Sequence, residues 1–330
     1  IKNRKNGEIL NELYGEKILI AVGGRPKRPG IKGASLGWTS DDMFLLNSFP
    51  KTITIVGAGY IACEFACILH GLGVEVTQLI RGERILRGFD HELSLALTEA
   101  MKSKGINLRF GENVSSIKGT PGSLIIKTDT NKKFNSNGLL FATGREPYIE
   151  GLKLEDSGVE IIDNKIKVDN ESKTNISNIF AIGDVTNRIN LTPVAIDEGR
   201  SFADRNYGEL NRQVNYNLVP YAVFSQPEIA SIGLTEEKAR ELIGEDNIKV
   251  HRSTFRPLSK SIPKTGSKCI LKLIVNNINN KILGCHMIGD NASEIIQMAS
   301  ISLMLGAKKS DFDNTMALHP TIAEEFVTMR

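Results

Sequence analysis

Three groups of residues have the types and spacing to do chemistry: His319 with Glu324, a glycine turn at Gly57 and Gly59, and the arginines Arg81, Arg84 and Arg87. Between His319 and Glu324 stand Pro320, Thr321, Ile322 and Ala323. Proline marks a helix boundary, and a helix over 321–327 would bring the Glu324 carboxylate back behind the imidazole. A carboxylate there orients the ring and stabilises its protonated form, which suits an acid/base working near neutral pH. The same residues suit a histidine that only hydrogen-bonds across an interface.

The glycines belong to Gly57-Ala58-Gly59-Tyr60-Ile61-Ala62, which follows the apolar, β-branched run 52–56 and opens a helix-compatible segment. This is the dinucleotide pattern G-x-G-x-x-A. The first glycine serves a tight turn, the second lets backbone approach a pyrophosphate, and the small third residue lets helix and strand pack closely. The helix start then offers unpaired N–H groups to the phosphates. Gly71 and Gly73 end that helix, and 74–80 reads as the next strand. Where an NAD site would carry an acid for the ribose hydroxyl, this chain has Arg81, then Arg84 and Arg87. Guanidinium groups clamp a 2′-phosphate, so the coenzyme is read as NADPH rather than NADH. A tight turn of an unrelated α/β protein is the plain alternative for the glycines, and a solvated basic face for the arginines.

The rest of the composition narrows the class. With 330 residues, 41% hydrophobic and 24% charged, the chain has room for two or three domains with their own cores. Its net charge of +3 gives no reason to expect a nucleic-acid partner. No apolar run reaches the ~20 residues of a membrane crossing. The opening IKNRKNGEIL lacks the apolar middle of a signal peptide, so the expected location is the cytoplasm. It also lacks an initiating methionine, which leaves room for an upstream start. Cys63, Cys67, Cys269 and Cys285 make no disulfide framework. Cys63 and Cys67, four apart on the helix after the glycine turn, read as buried core thiols, with a redox pair as the sharper alternative that helix geometry disfavours.

The elements that must hold these residues follow in order. Residues 17–22 read as a strand closing on Gly23-Gly24-Arg25-Pro26, and Pro29 and Gly30 extend a linker. Thr39 to Asp42 can cap a short helix over 43–46. In the middle domain 92–102 reads as a helix, with strands at 106–110, 123–128 and 138–142. Strands at 165–168 and 179–182 follow, the second running into Gly183-Asp184. Thr192, as N-cap before Pro193, starts a helix to about 207, which puts Asp184 at a strand end near a helix start. From about 220 the pattern becomes strands at 221–224, 229–232, 249–254, 269–275 and 282–288, with helices near 235–243, 292–305 and 311–316. That is the texture of a separate α+β domain.

The segments GAGYIACEFA (57–66), RGFD (87–90), FATGREP (141–147), FAIGDV (180–185), LTPVAIDEGR (191–200), VFSQPEIASIGLTEE (223–237) and HPTIAEEF (319–326) together resemble the pyridine nucleotide-disulphide oxidoreductases, across essentially all 330 residues. Within that family the likeness is to the members that reduce glutathione disulfide with NADPH through FAD and a redox dithiol. It implies an α/β chain with a Rossmann-like NADPH-binding domain (51–145) inserted in a partial FAD-binding domain (1–50 and 146–216), followed by an α+β dimerisation domain (217–330).

The roles that the resemblance implies are specific. Tyr60 would be the aromatic gate over the flavin, and Glu64 the glutamate near the nicotinamide carboxamide. Arg81 and Arg87 would hold the 2′-phosphate, and Arg145 would lie against the nucleotide. Asp184 would bond the ribityl chain of FAD, and Thr192 would sit near the pyrimidine edge of the flavin. Ile61, Gly144, Gly183 and Leu191, in the same motifs, count as cofactor-binding positions. Arg200 would contact glutathione, and His319, oriented by Glu324, would protonate the leaving thiol in the other subunit of a homodimer. No metal is implied.

One part of the family pattern is missing. The chain holds neither the first Gly-rich motif for FAD nor a C-x-x-x-x-C dithiol. The expectation is an N-terminally truncated reductase that exposes apolar edges on 1–50 and 147–215. The alternatives are a non-catalytic NADPH-binding module that dimerises and a dihydrolipoamide dehydrogenase-like flavoenzyme.

Overall fold

The computed structural model describes residues 5–330 apart from 262, 264, 265 and 267. The first four residues of the polar opening read above therefore lie outside the described residues. The chain falls into two compact units, one of Arg145–Tyr216 with the described part of Ile1–Arg25, the other of Pro26–Gly144 with Asn217–Arg330.

In the second unit Thr52–Val56 lies parallel to both Glu75–Ile80 and Gly138–Phe141, and Asn107–Phe110 adds on beyond Glu75–Ile80. A parallel sheet is covered on both faces, which is why its strands are almost continuously apolar: Ile53, Ile55, Leu79, Ile80, Leu139 and Leu140 are all buried. The helices Tyr60–Gly71 and His91–Ser103 make the crossovers. A three-stranded antiparallel sheet, Val114–Thr120, Ser123–Thr128 and Lys133–Ser136, packs Val114, Ile117, Leu124 and Ile126 against Leu79, Leu139 and Phe141. Only its middle strand was expected from the sequence, because the outer two are rich in Ser, Lys and Asn and bury few positions.

Residues 26–50, grouped by the sequence reading with the first FAD-domain segment and its linker, belong instead to the second unit and are tied to this sheet. Trp38 N–H donates to Leu139 O at 2.7 Å, and Phe141 N–H donates to Trp38 O at 2.8 Å. Thr39 and Asp42 form a capping box on Ser40–Met43, so the short helix starts and ends about three residues earlier than expected.

The last part of the chain builds a five-stranded antiparallel sheet in the order Tyr221–Val223, Ile229–Gly233, Ile282–Ile288, Cys269–Asn276, Ile248–Phe255. Ala292–Met304 covers one face with Ile296 and Leu303. Thr235 caps Glu236–Ile243, accepting from Lys238 N–H at 3.2 Å. The short helix placed at 311–316 by its sequence is Lys309–Asp313, where Asp311 accepts from Lys308 N–H and caps it. Val223, Ile229 and Ile288 share a core with Ala66, Leu93 and Leu97, so the nucleotide sheet and this sheet are packed as one body.

In the first unit Ile18–Ile20 pairs in parallel with Ile179–Ala181, and Gly24–Pro26 lies beside Arg145–Pro147. Ile20, Leu154, Val159, Ile166 and Val185 form its small core, while Ile18, Leu19 and Val22 are exposed. Among the described residues no helix is long and apolar enough to cross a membrane.

Candidate active site

The glycine turn is built by close packing on one side and open space on the other. Gly57 has φ of 145°, and a Cβ there would overlap the carbonyl of Ala142 on the neighbouring strand. At Gly59, the N-cap of Tyr60–Gly71, an added Cβ would meet nothing within 4 Å. The turn thus needs glycine at Gly57 to form and presents bare backbone at Gly59, the cradle a pyrophosphate requires. Tyr60 and Ile61 open the helix. Gly144, at φ 115° with open space where a Cβ would stand, ends the strand side of the same cradle.

Arg81 and Arg87 are exposed just beyond Glu75–Ile80, and among the described residues neither is paired with a carboxylate. The Arg87 guanidinium folds across Gly82, so tightly that a Cβ on Gly82 would collide with it. Arg84 differs: it lies 4.0 Å from Glu237. The loop that carries all three is stapled to the glycine turn by Leu86 N–H donating to Ala58 O at 2.7 Å. Two exposed guanidinium groups on a loop fastened to the glycine turn are groups that can pair with an anion such as a phosphate, with the exposed Glu83 between them in sequence.

Glu64, one turn into the helix, accepts from Phe224 N–H at 2.9 Å. Burial pushes its carboxyl above the usual glutamate range, against the pull of that bond. Cys63 and Cys67 are buried and free, as the core reading has it. Burial pushes the Cys63 thiol up to about 12, and Cys67 also lies above the ordinary range. Cys269 and Cys285 are likewise buried and free. None of the four is an exposed, activated thiolate.

In the first unit Asp184 stands in a 3-10 turn, Gly183–Thr186, with Arg145 Nε 3.7 Å from its carboxylate. Arg145 also donates to Gly24 O at 2.5 Å. A Cβ on Gly24 would come within 3.2 Å of Asp184 Cβ, so the glycine keeps the approach to this carboxylate clear. The sequence reading of the following helix needs correction. Leu191, not Thr192, is the N-cap; Thr192 is the first residue of Thr192–Tyr207 and makes no capping bond. Pro193 in the first turn leaves the extended backbone to the residue two before it. Arg200 is exposed on this helix.

Glu198 was not singled out from the sequence. It is buried and accepts from Gly183 N–H at 2.6 Å and from Tyr216 Oη–H at 2.7 Å, with Arg188 Nη1 3.9 Å away. Its signal was available, an acid one helical turn after the buried Val194.

His319 Nδ1 lies 3.0 and 3.1 Å from the two carboxylate oxygens of Glu324. The route differs from expectation. The regular helix is only Glu325–Thr328, and Glu324 reaches back from a tighter turn in which Glu325 N–H bonds Ile322 O and Phe326 N–H bonds Ala323 O. Glu324 N–H donates to Thr321 Oγ1 at 3.1 Å, which holds that turn. A carboxylate only accepts, so Nδ1 carries the proton and Nε2 is the outward nitrogen. The imidazole side chain is 77% exposed, against 14% for Glu324. A fixed ring with a free nitrogen can move a proton to or from a group that docks on this face.

Two family models match the chain in tandem: pyridine nucleotide-disulphide oxidoreductase over residues 2–199, and the dimerisation domain of the same family over 219–330. The chain belongs to the pyridine nucleotide-disulphide oxidoreductases. Among curated relatives it is 44% identical over 328 residues to a glutathione reductase of Nostoc sp., covering 96% of this chain and 72% of that protein. It is 46% identical over 314 residues to one of Burkholderia cepacia, covering 95% and 70%. With the chloroplastic/mitochondrial glutathione reductase of Pisum sativum it shares 43% over 326 residues, 98% of this chain but 59% of that protein. Among solved structures, the HOCl-induced flavoprotein disulfide reductase RclA of Escherichia coli superposes with a TM-score of 0.88 at 26% identity, over 96% of this chain and 73% of that one.

Proposed function

We propose that this chain serves the NADPH-dependent reduction of glutathione disulfide, as the part of a glutathione reductase that holds NADPH, contributes to the FAD site and supplies the acid/base. The observation that carries this reading is the pair of exposed arginines, Arg81 and Arg87, which have no carboxylate partner among the described residues and stand on a loop bonded to the glycine turn of Gly57 and Gly59.

The roles are those that the family resemblance implies, and the geometry given above is compatible with them. Gly57, Gly59 and the first turn at Tyr60 and Ile61 take the pyrophosphate, while Arg81 and Arg87 neutralise the 2′-phosphate. Glu64 lies within the same helix to receive the carboxamide end. FAD, when bound, accepts hydride equivalents from NADPH and delivers electrons in pairs to a dithiol. Asp184, kept accessible by Gly24, is the group that would hold its ribityl chain, with Leu191 and Thr192 at the start of the next helix and Arg145 beside it. Arg200 contributes a charge for a glutathione carboxylate. His319, oriented by Glu324, in its protonated imidazolium form gives the Nε2 proton to the departing glutathione thiolate and is left as the neutral Nδ1–H ring.

The nucleophilic thiolate is not among the four buried cysteines, so in this reading it comes from outside these 330 residues. His319 acts across a two-fold interface, each dimerisation domain completing the site of its partner. The cytoplasm is the proposed location.

The test is coenzyme binding with turnover. NADPH should bind the chain more tightly than NADH, and Arg81→Ala with Arg87→Ala should remove that preference. Glutathione disulfide should be reduced only when a dithiol-bearing flavin segment is supplied. Reduction by the chain alone, or a preference for NADH, overturns the reading.

A further inference from the structure

We propose that Lys272, in the middle of the dimerisation-domain sheet, is a positioning residue for coenzyme selection, holding the arginine loop 81–90 in the shape that receives a 2′-phosphate. This rests on the assignment of Arg81 and Arg87 to that phosphate.

The loop is anchored at both ends by different partners. At its start, Gly111 N–H donates to Gly82 O at 3.3 Å, and Leu86 N–H reaches Ala58 in the glycine turn. Ser94 Oγ–H donates to Ile85 O at 2.7 Å, with Ile85 and Leu86 fully buried. The far end is fastened to the dimerisation domain. Asp90, three residues after Arg87, is 0% exposed and caps His91–Ser103 through Glu92 N–H at 3.1 Å. Lys272 Nζ, itself 2% exposed, donates to Asp90 at 3.0 Å and lies 2.9 Å from the other carboxylate oxygen. The same ammonium is 2.7 Å from Glu236 and 3.3 Å from Glu92. Glu237 accepts from His91 N–H at 3.0 Å and faces Arg84 at 4.0 Å. The Phe89 ring meets Tyr221 edge-on, centroids 4.8 Å apart.

A lysine in the apolar run CILKLIVN is costly to bury and is kept only by its three carboxylates. Lys272 touches none of the phosphate-facing groups. Its effect on them passes through Asp90, the residue that fixes where the loop re-enters a helix. Removing it leaves buried Asp90 without its ammonium, crowded by Glu92 and Glu236, which keep only Arg252 at 3.2 Å and Arg240 at 2.8 Å, so the Arg87 end of the loop shifts. Charge-assisted bonds from guanidinium to phosphate depend on placement, and displacement of about 1 Å is enough to lose them. NADH has no 2′-phosphate and is indifferent to that movement. A general loss of structure weakens both coenzymes alike; a mispositioned clamp weakens only NADPH.

The experiment measures equilibrium binding of NADPH and NADH to the full chain by nicotinamide fluorescence. The variants are Lys272→Met, which keeps the aliphatic stem, Asp90→Asn, which keeps a capping oxygen, and Glu237→Gln on the exposed side of the anchor. Lys272→Met and Asp90→Asn should weaken NADPH by about tenfold or more while NADH changes by less than about twofold, with a smaller shift of the same sign for Glu237→Gln. Equal weakening of both coenzymes, or no change in their ratio, overturns the proposal. Should the two buried variants fail to fold, the ratio for Glu237→Gln decides alone, and no change in it is fatal. Arg81→Ala with Arg87→Ala runs in parallel. If that pair abolishes the NADPH preference and the anchor variants do not, this inference fails and the coenzyme reading stands; if the arginine pair leaves the preference intact, the coenzyme reading fails and takes the inference with it.

Discussion

His319 Nδ1 is held 3.0 Å from Glu324 Oε1 by a turn that Thr321 closes, so the ring is fixed from behind and open in front. If the pair acts as positioned acid and orienter, then in the complete flavoenzyme His319→Gln lowers kcat by about 10²–10⁴-fold. Glu324→Gln keeps an acceptor for Thr321 N–H and so the turn, and should cost about 10–100-fold, a part of that effect. The two losses are not additive: Glu324→Gln should do little in a His319→Gln background. Steady-state turnover of the four proteins checks this, and an undiminished second loss would mean that Glu324 acts on something other than the ring.

The two fingerprint glycines should fail in opposite ways. Gly57→Ala puts a methyl group into the Ala142 carbonyl at a φ of 145°, so it should cost at least about 2 kcal/mol of stability. Gly59 has φ of −83° and free space around it, so Gly59→Ala should melt close to the parent. Its methyl group occupies the ground a pyrophosphate needs, and NADPH binding should fall by about tenfold or more. Thermal melts with and without coenzyme separate a folding glycine from a binding one.

Legibility in the sequence followed burial. Thr52–Val56 and Ile282–Ile288 were placed to the residue, because a strand covered on both faces is an uninterrupted apolar run between turns. Val114–Thr120 escaped, since two buried side chains among serines, lysine and glycine leave no clear alternation. Thr192 was taken for an N-cap on its residue type, whereas the backbone turns one residue earlier at Leu191. Among the candidate site residues, motif spacing singled out Gly57, Gly59 and His319, whose arrangement is local. Lys272 and Glu198 work through partners far along the chain, Asp90 at 182 residues and Gly183 and Tyr216 across a bend, and no local pattern announces such contacts.

The buried lysine also sets a pH dependence. Burial opposes ionisation of Asp90, but His286 and the hydrogen bond and charge of Lys272 outweigh it and hold the carboxyl below the usual aspartate range. Glu236 is held low in the same contest, with Lys272 and then Arg240 prevailing over burial. Both folded values lie below the unfolded ones of about 3.9 and 4.3, so the unfolded chain binds more protons in acid. Their stabilisation is complete above that range and is lost as pH falls through the lower folded values. In Lys272→Met burial is opposed only by His286 at Asp90 and by Arg240 at Glu236, so both carboxyls rise relative to the parent and less of this stabilisation remains at neutral pH. The variant should lose about 3 kcal/mol at pH 7 and less at pH 5. Chemical denaturation at the two pH values tests this, and a pH-independent difference would show that the cation does not neutralise these acids.

Glu198 makes the corresponding prediction for the first unit. Its carboxylate joins Gly183 N–H, at the bend presenting Asp184, to the Tyr216 hydroxyl, and burial followed by the bond to Glu198 pushes that hydroxyl well above the ordinary tyrosine range, so it stays a donor. Glu198→Leu strands a backbone N–H, a phenol and the Arg188 guanidinium together, a loss of about 3–5 kcal/mol. Tyr216→Phe removes one donor and should cost about 1 kcal/mol, and less still once Glu198 is gone. The damage should be local, because the ligands of Glu198 all lie within Arg145–Tyr216. Amide hydrogen exchange should lose protection over 179–207 while Thr52–Val56 and Gly138–Phe141 keep theirs. Loss of protection in all of these strands at once would mean that the two units unfold together, and that the carboxylate at Glu198 supports more of the chain than the bend it holds.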